Sequence, residues 1–87
     1  MNSRATKQFW AEYYKLPKHV KRQAIEAYRI FEANSRHPGL HFKQVISEPP
    51  TYSVRVGIGY RALGMVDGDT IVWFWIGPHA EYDRILA

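Results

Sequence analysis

Apolar residues recur at helical spacing in residues 18–33. They fall at i, i+4, i+7, i+8 and i+11, namely Val20, Ala24, Ala27, Tyr28 and Phe31. Charged side chains occupy most of the remaining positions, so one side of this segment is apolar and the other is polar. The pattern predicts an amphipathic helix from about Lys18 to Ala33, ended by the polar and glycine-containing stretch that follows.

A shorter helical pattern precedes this segment. Three apolar side chains share one stripe within residues 3–16, namely Phe9, Tyr13 and Leu16. Ser3 and Thr6 are the candidate N-caps. Pro17 interrupts the pattern, because proline has no amide hydrogen and is best placed at the first position of a new helix. We therefore predict an N-terminal helical hairpin with a tight turn at Leu16-Pro17.

From residue 40 onward the apolar residues follow the spacing of β-strands. Four segments are predicted as strands: Leu40–Ile46, Tyr52–Val56, Tyr60–Val66 and Thr70–Ile76. A loop with Pro49-Pro50, a turn at Gly57–Gly59 and a hairpin at Asp67-Gly68 separate them. After the last strand, His79–Leu86 is expected to form a last turn or a short strand.

Two of these strands differ in how their side chains are distributed. In Tyr52–Val56 the apolar residues alternate with polar ones, which puts Arg55 on the face opposite the apolar one. The last strand is apolar on both faces, which is typical of a strand covered on both sides or covered in part by a partner. The elements together predict one α+β domain over residues 1–87, with the helical hairpin packed on an antiparallel four-stranded β-sheet.

Charge is distributed unevenly along the chain. The formal net charge is +4, with a pI near 9.6. Residues 1–61 carry eleven Lys and Arg against four acidic residues, whereas residues 62–87 carry one against four. A basic surface built from the first part of the chain would attract RNA or an acidic protein segment.

Several classes of protein are excluded or made improbable by composition. The sequence has no cysteine, so it forms no disulfide, iron–sulfur cluster or thiolate zinc site. It shows no apolar segment of signal-peptide or membrane-spanning length, and we expect a cytoplasmic protein that contacts no membrane. His37 and His41 are separated by Pro38-Gly39, which prevents the helix that would align them on a metal. No metal or other cofactor is expected.

The groups most able to act on a phosphate lie between residues 52 and 82. Arg55 and Arg61 are on the early strands of the predicted sheet, and His79 and Tyr82 follow its last strand. Guanidinium groups bind phosphate oxygens in a fork, and histidine can take up or release a proton near neutral pH. A single sheet would thus deliver four such groups to one region.

Each of these residues also has an ordinary structural interpretation. Arg61 could form a surface ion pair with Glu81 or Asp83, which would contribute little energy. His79 could cap the end of the sheet, and Tyr82 could be a core tyrosine. Position along the chain does not decide between these interpretations.

In their order, these segments resemble the toxins of the RelE/ParE superfamily from bacterial type II toxin–antitoxin systems. The resemblance extends from about Phe9 to Ile85 and includes LPxxV, HPGLHFK, GYRAL and IGPHAEY. It implies a RelE-like α+β fold and, for the RelE branch, an endoribonuclease that cuts mRNA in the ribosomal A site without a metal ion. It also implies a cognate antitoxin, the ribosome and mRNA as partners, with operator DNA contacted only through the antitoxin complex.

The resemblance assigns roles by position. Arg61 in GYRA matches a phosphate-contacting arginine of the RelE branch, and Arg55 falls about where a strand lysine or arginine is found. His79 stands where members carry arginine or histidine, and Tyr82 approximates a tyrosine that stacks on or protonates the substrate. Lys43 matches a further basic residue. The implied catalytic residues are His79, Arg61, Arg55 and Tyr82, and the implied substrate-binding residues are Lys43, Arg55 and Arg61.

Two other functions remain open at this stage. A ParE-like inhibitor would bind DNA gyrase and catalyse nothing, and a non-toxic remnant would only bind its antitoxin. The gyrase inhibitor would not need His79, Tyr82 and Arg61 to converge. A meeting of Arg55, Arg61 and His79 within about the reach of one phosphate would favour the nuclease, whereas their scattering, or burial of His79 in apolar surroundings, would favour the other two functions.

Overall fold

Helices cover both faces of a mixed five-stranded β-sheet. The computed structural model describes all 87 residues. The strands are β1 (Asn2–Ala5), β2 (Lys43–Ile46), β3 (Thr51–Val56), β4 (Tyr60–Asp67) and β5 (Thr70–Pro78). The α-helices are α1 (Lys7–Tyr14), α2 (Lys18–Ala33) and α3 (His79–Leu86), and a 3₁₀ turn spans Pro38–Leu40.

The sheet contains one strand more than the sequence predicts. Its order is β1-β5-β4-β3-β2, and only β1 and β5 are parallel. The predicted α+β class is confirmed, but the prediction of a four-stranded antiparallel sheet is wrong. The missed strand, β1, has a polar sequence without apolar alternation. Backbone hydrogen bonds flank its pairing with β5, from Asn2 N–H to Asp69 O (2.8 Å) and from Thr6 N–H to Trp73 O (3.0 Å).

α1 begins after β1 because Thr6 caps it. Thr6 Oγ1 accepts a hydrogen bond from Phe9 N–H at 3.1 Å, and the Thr6 backbone is extended. Of the two candidate N-caps, Thr6 is confirmed and Ser3 is wrong, since Ser3 pairs with Ile71 in the sheet. The predicted break between the two helices is present, but Pro17 is the N-cap of α2, with φ −59°, rather than its first helical residue.

The larger core lies between the sheet and the helices α1 and α2. The apolar stripe of α2 contributes three buried side chains, Val20, Ala27 and Phe31. The strands contribute six more, Val54, Val56, Ala62, Ile71, Trp73 and Ile76. Because Val54 and Val56 point into this core, Arg55 points to the opposite face, as the alternation predicts.

α3 packs on that opposite face, which we call the α3 face and define by Ser53, Leu63 and Trp75. Leu63, Trp75 and Tyr82 form a smaller core there. The prediction of a turn or short strand for His79–Leu86 is wrong, because these residues form a helix of two turns. Tyr82 and Leu86 lie four residues apart and both face the smaller core, which is the spacing of a helical stripe.

A bulge explains why β5 is apolar on both faces. Leu63 pairs with Trp75 and Gly64 pairs with Trp73, so Phe74 has no partner on β4. The extra residue directs Trp73 toward α1 and α2 and Trp75 toward α3. Each tryptophan is 7% exposed, so the chain itself covers the two faces of the strand.

β2 is shorter than predicted. It begins at Lys43 rather than Leu40, because Leu40 ends the 3₁₀ turn as a buried residue and His41 then adopts a left-handed conformation with φ 47°. None of the helices has both the length and the apolar character needed to cross a membrane.

The close approach of β4 and β5 at the bulge gives a test of the packing. A Cβ added at Gly64 would lie 2.7 Å from Ile71 Cγ1 and 2.7 Å from Trp73 Cε3. Gly64→Ala is therefore expected to lower the free energy of unfolding by about 1–3 kcal/mol, because both neighbours are held in the core. Gly59→Ala is the matched control, since a Cβ there meets nothing within 4 Å, and it should not destabilise the protein. Urea unfolding followed by tryptophan fluorescence measures both variants, and equal midpoints would contradict this packing.

Candidate active site

His79 lies at the rim of the sheet, where β5 passes into α3. It is the first residue of α3, and its backbone N–H donates to the carbonyl of Gly59 at 2.8 Å. Gly59 belongs to the turn between β3 and β4, so this bond ties the start of the helix to the neighbouring hairpin. The side chain of His79 remains 45% exposed. A group that can transfer protons therefore stands at the surface on a fixed backbone.

Asp83 orients the imidazole of His79. It lies one turn further along α3, and its Oδ2 is 3.0 Å from His79 Nδ1. A proton on Nδ1 is donated to this carboxylate, which leaves Nε2 as the nitrogen able to face a substrate. Because the side chain of Asp83 is 63% exposed, the pair adds little stability, and its main effect is on orientation.

Tyr82 connects His79 and Arg61 to the sheet. Its hydroxyl donates to Ser53 Oγ at 3.1 Å, and both residues are buried. The centroid of its ring is 5.5 Å from that of His79 and 6.0 Å from Arg61 Cζ. In this arrangement Tyr82 positions both neighbours. Its catalytic role stays a prediction, because stacking on a base or transferring a proton would require the contact with Ser53 to open.

Arg61 is a partly buried arginine without a carboxylate partner. Its Nη1 donates to the carbonyl of Tyr60 at 2.8 Å. The ion pairs of the structure join Lys15 to Glu12, Arg29 to Glu26 and His79 to Asp83. The ion pair of Arg61 with Glu81 or Asp83 that the sequence allows is thus not formed. The charge of Arg61 is available to an anion.

Arg55 lies directly opposite Arg61 in the pairing of β3 with β4. Opposed residues of antiparallel strands project to the same face, where two like charges destabilise each other. Arg55 Nε donates to the carbonyl of Gly57 at 3.0 Å, and its Nη1 lies 3.4 Å from His41 Nε2. The side chain of Arg55 therefore stands beside Arg61 in the sheet but makes its contacts toward the outer edge.

His41 is the residue that the sequence-based prediction missed. It lies two residues before Lys43, which pairs with Ser53, and its Nε2 is 3.4 Å from Arg55 Nη1. We call His41, Arg55 and Arg61 the basic row, which crosses the α3 face from the edge of the sheet inward. A signal existed in the sequence, because His41 lies only two residues before the predicted site residue Lys43.

Lys43 extends the same face next to the basic row. It is exposed, it forms no ion pair, and it pairs with the buried Ser53. The structure therefore brings three predicted residues into one cluster, in which the ring of Tyr82 contacts both Arg61 and His79. Arg55 adjoins this cluster through Arg61, and Lys43 lies on the outer strand of the same face.

A model of the ParE-like toxin domain matches residues 18–84 of the chain. The chain belongs to the ParE-like toxin domain family. The resemblance to the RelE/ParE superfamily is thereby confirmed, over a range that contains every residue of the candidate site. Among curated protein sequences, none matches the chain significantly.

Solved structures share the fold of this ParE-like domain. One is the RelBE2 toxin–antitoxin complex from Mycobacterium tuberculosis, with 28% identity, 88% of each chain covered and a TM-score of 0.65. The RelB–RelE antitoxin–toxin complex from Methanococcus jannaschii has 21% identity, covers 97% of this chain and 99% of that chain, and has a TM-score of 0.71. A YoeB/ParE toxin from Agrobacterium tumefaciens has 13% identity, covers 91% of this chain and 99% of that chain, and has a TM-score of 0.70.

The contact between Tyr82 and Ser53 predicts the effect of removing one hydroxyl. Tyr82→Phe should lower the free energy of unfolding by about 1–2 kcal/mol, because Ser53 Oγ would lose its buried partner. Tyr14→Phe is the matched control at a residue that is 67% exposed, and it should change the stability by less than about 0.5 kcal/mol. Thermal or urea unfolding measures both changes, and a Tyr82→Phe variant as stable as the wild type would contradict the role given to this bond.

Proposed function

We propose that this ParE-like domain is the toxin of a type II toxin–antitoxin system and acts as a metal-independent, ribosome-dependent mRNA endonuclease. The observation that carries the proposal is the grouping on the α3 face. Arg61 has no carboxylate partner, a histidine oriented by Asp83 adjoins it through the ring of Tyr82, and Arg55 lies opposite Arg61 on the neighbouring strand. This combination best suits a phosphodiester whose cleavage requires transfer of a proton.

The reaction transfers two protons and displaces one oxygen. The 2′-OH of the substrate attacks the adjacent phosphorus, the bond from phosphorus to the 5′ oxygen breaks, and the products are a 2′,3′-cyclic phosphate and a 5′-OH. A base takes the proton of the 2′-OH, and an acid gives one to the departing 5′ oxygen. His79 Nε2, which the contact with Asp83 leaves free, exchanges one of these protons with the substrate.

Arg61 stabilises the negative charge that develops on the non-bridging oxygens, and Arg55, one strand further out, holds the RNA backbone beside it. Their guanidinium groups stay charged and are held by the carbonyls of Tyr60 and Gly57, so little reorganisation is needed. Tyr82 is the second group of the cluster with an exchangeable proton, and its hydroxyl would have to leave Ser53 to act directly. Lys43 binds the RNA backbone on the outer strand.

A cognate antitoxin is the proposed protein partner. The neighbours from Mycobacterium tuberculosis and Methanococcus jannaschii were each solved as complexes of a toxin with an antitoxin. The net charge of +4 suits an acidic antitoxin segment as well as RNA. When the toxin acts, it binds the ribosome and mRNA. It contacts operator DNA only through the antitoxin complex.

Inhibition of DNA gyrase without catalysis is the second candidate function. It is favoured by the ParE-like description of the matching family model. A gyrase inhibitor does not require a histidine oriented by a carboxylate beside two arginines. His79 is also not buried in apolar surroundings, which would have favoured the other functions. The geometry of the α3 face therefore supports the nuclease better.

Translation in vitro tests the nuclease directly. Purified protein is added to a translation reaction with a defined mRNA, and breaks are mapped by primer extension. The wild type should cut at codons in the A site. His79→Ala should slow cleavage by about 10²–10⁴-fold through loss of proton transfer, and Arg61→Gln by about 10²–10³-fold through loss of charge stabilisation.

His19→Ala is the matched control, since His19 is an exposed histidine on α2, away from the α3 face. It should cut like the wild type. A message left intact by wild type and variants alike would contradict the nuclease, and a gyrase supercoiling assay would then test the second candidate.

A further inference from the structure

We propose that His41 and Arg55 form a second phosphate subsite, which binds the phosphodiester next to the one held at Arg61 and His79. This inference rests on the proposed function and extends it, because it makes the α3 face a track for several nucleotides of one RNA strand. It adds His41, a residue outside the predicted site, to the RNA-binding surface.

The contacts of Arg55 direct its guanidinium toward His41. Nε donates to the carbonyl of Gly57 at 3.0 Å, and Nη1 lies 3.4 Å from His41 Nε2. A guanidinium has five N–H donors, and these two contacts leave the others for a ligand. His41 itself is exposed, and its other ring nitrogen makes no hydrogen bond within the chain. The two side chains therefore present several donors at one point on the edge of the sheet.

The local charge favours an anion at this point. Arg55 stands opposite Arg61, and no carboxylate pairs with either of them. Glu26 of α2 lines a shallow cleft together with Arg55, but its carboxylate pairs with Arg29 at 3.7 Å. Like charges placed directly across two strands destabilise the pair, so a bound phosphate would relieve a repulsion that the folded chain leaves in place.

The arrangement of the basic row favours a nucleic-acid strand over a single anion. Neighbouring strands are about 4.8 Å apart, so the three residues of the basic row span roughly 10 Å of the sheet. That is too long for one phosphate and suits successive phosphates of an extended strand. A groove of positive charge that follows the backbone is the usual feature of proteins that bind single strands.

The left-handed backbone of His41 decides which substitution tests the subsite. Its φ of 47° is unfavourable for most residues but is tolerated by asparagine. His41→Asn therefore removes the imidazole and keeps the turn, whereas alanine would add backbone strain. Arg55→Gln removes the charge of the second member. His19→Gln on α2 is the matched control for loss of an exposed histidine.

The measurement is the affinity for 2′-O-methyl RNA oligonucleotides of increasing length, followed by fluorescence anisotropy. The methyl group blocks the attacking hydroxyl, so these probes bind without being cut. In the wild type, lengthening the probe from one phosphodiester to three should strengthen binding roughly tenfold, the scale of one charge-assisted contact. His41→Asn should reduce that gain to about threefold, and Arg55→Gln should abolish most of it.

Salt dependence gives a second result from the same samples. Each phosphate contact on a single strand contributes about 0.7 to the slope of log Kd against log salt concentration, so Arg55→Gln should lower the slope by about that amount. His19→Gln should keep both the gain with length and the slope of the wild type.

The outcomes distinguish failure of the proposed subsite from failure of the proposed nuclease function. A gain with length that His41→Asn leaves intact, or no gain in the wild type, overturns the subsite even when cleavage during translation is confirmed. A gain reduced to about threefold in His41→Asn supports the subsite, and cleavage is then judged by the translation assay alone. The affinity for a poly-aspartate peptide is measured with the same variants. If His41→Asn weakens binding of the peptide but not of RNA, the basic row binds an acidic protein segment and the RNA assignment is overturned.

Discussion

The hydrogen bond from Tyr82 to Ser53 holds α3 on the sheet at a buried point, and the candidate site depends on it. α3 has only eight residues, which is too short for a helix to be stable by itself in water. Its position therefore comes from Tyr82 and from the contacts with Leu63 and Trp75 beneath it. Because His79 begins the same helix and Asp83 lies one turn further on, the orientation of the imidazole follows from the packing of Tyr82. The same few side chains therefore stabilise α3 and position the groups of the candidate site.

The two faces of the sheet differ in what they contribute to stability and to the candidate site. One face is covered by α1 and α2 and carries the larger core, while the other combines a small apolar core with the basic row. The register of β3 with β4 makes Arg55 and Arg61 neighbours, at some cost in electrostatic repulsion. A carboxylate placed between the two arginines would relieve this repulsion, but it would also compete with a phosphate for their guanidinium groups. A phosphate-binding surface is therefore expected to leave the repulsion in the free protein. The absence of ion pairs on both arginines is consistent with such a role.

Much of the fold follows from local patterns in the sequence. The stripe of α2, the break at Pro17 and the alternation around Arg55 predict elements that the structure contains, because each depends on neighbours close in the chain. β1 could not be predicted this way, since a polar four-residue strand is held by the backbone of a segment some 70 residues away. The helical state of α3 depends in the same way on the sheet beneath it, because its two turns carry only two apolar side chains that reach the core, Tyr82 and Leu86.

The candidate site was predictable in its residues but not in its contacts. Arg55, Arg61, His79 and Tyr82 are visible in the sequence as groups able to bind or protonate a phosphate. That Asp83 pairs with His79 rather than with Arg61 depends on α3 being a helix, where residues four apart become neighbours. The place of His41 beside Arg55 depends on the left-handed turn before β2, which a sequence without the structure does not supply.

The central claim is that the α3 face of the sheet binds RNA, and NMR of the ¹⁵N-labelled protein tests it most directly. A 2′-O-methyl RNA oligonucleotide is titrated into the wild type while backbone and arginine side-chain signals are followed. RNA binding on the α3 face predicts that Arg55, Arg61 and His79 shift together and in proportion to occupancy, while the exposed residues of α1 and α2 do not. Shifts confined to α1 and α2, with none at Arg61 or His79, would contradict it and locate the functional surface on the other side of the sheet.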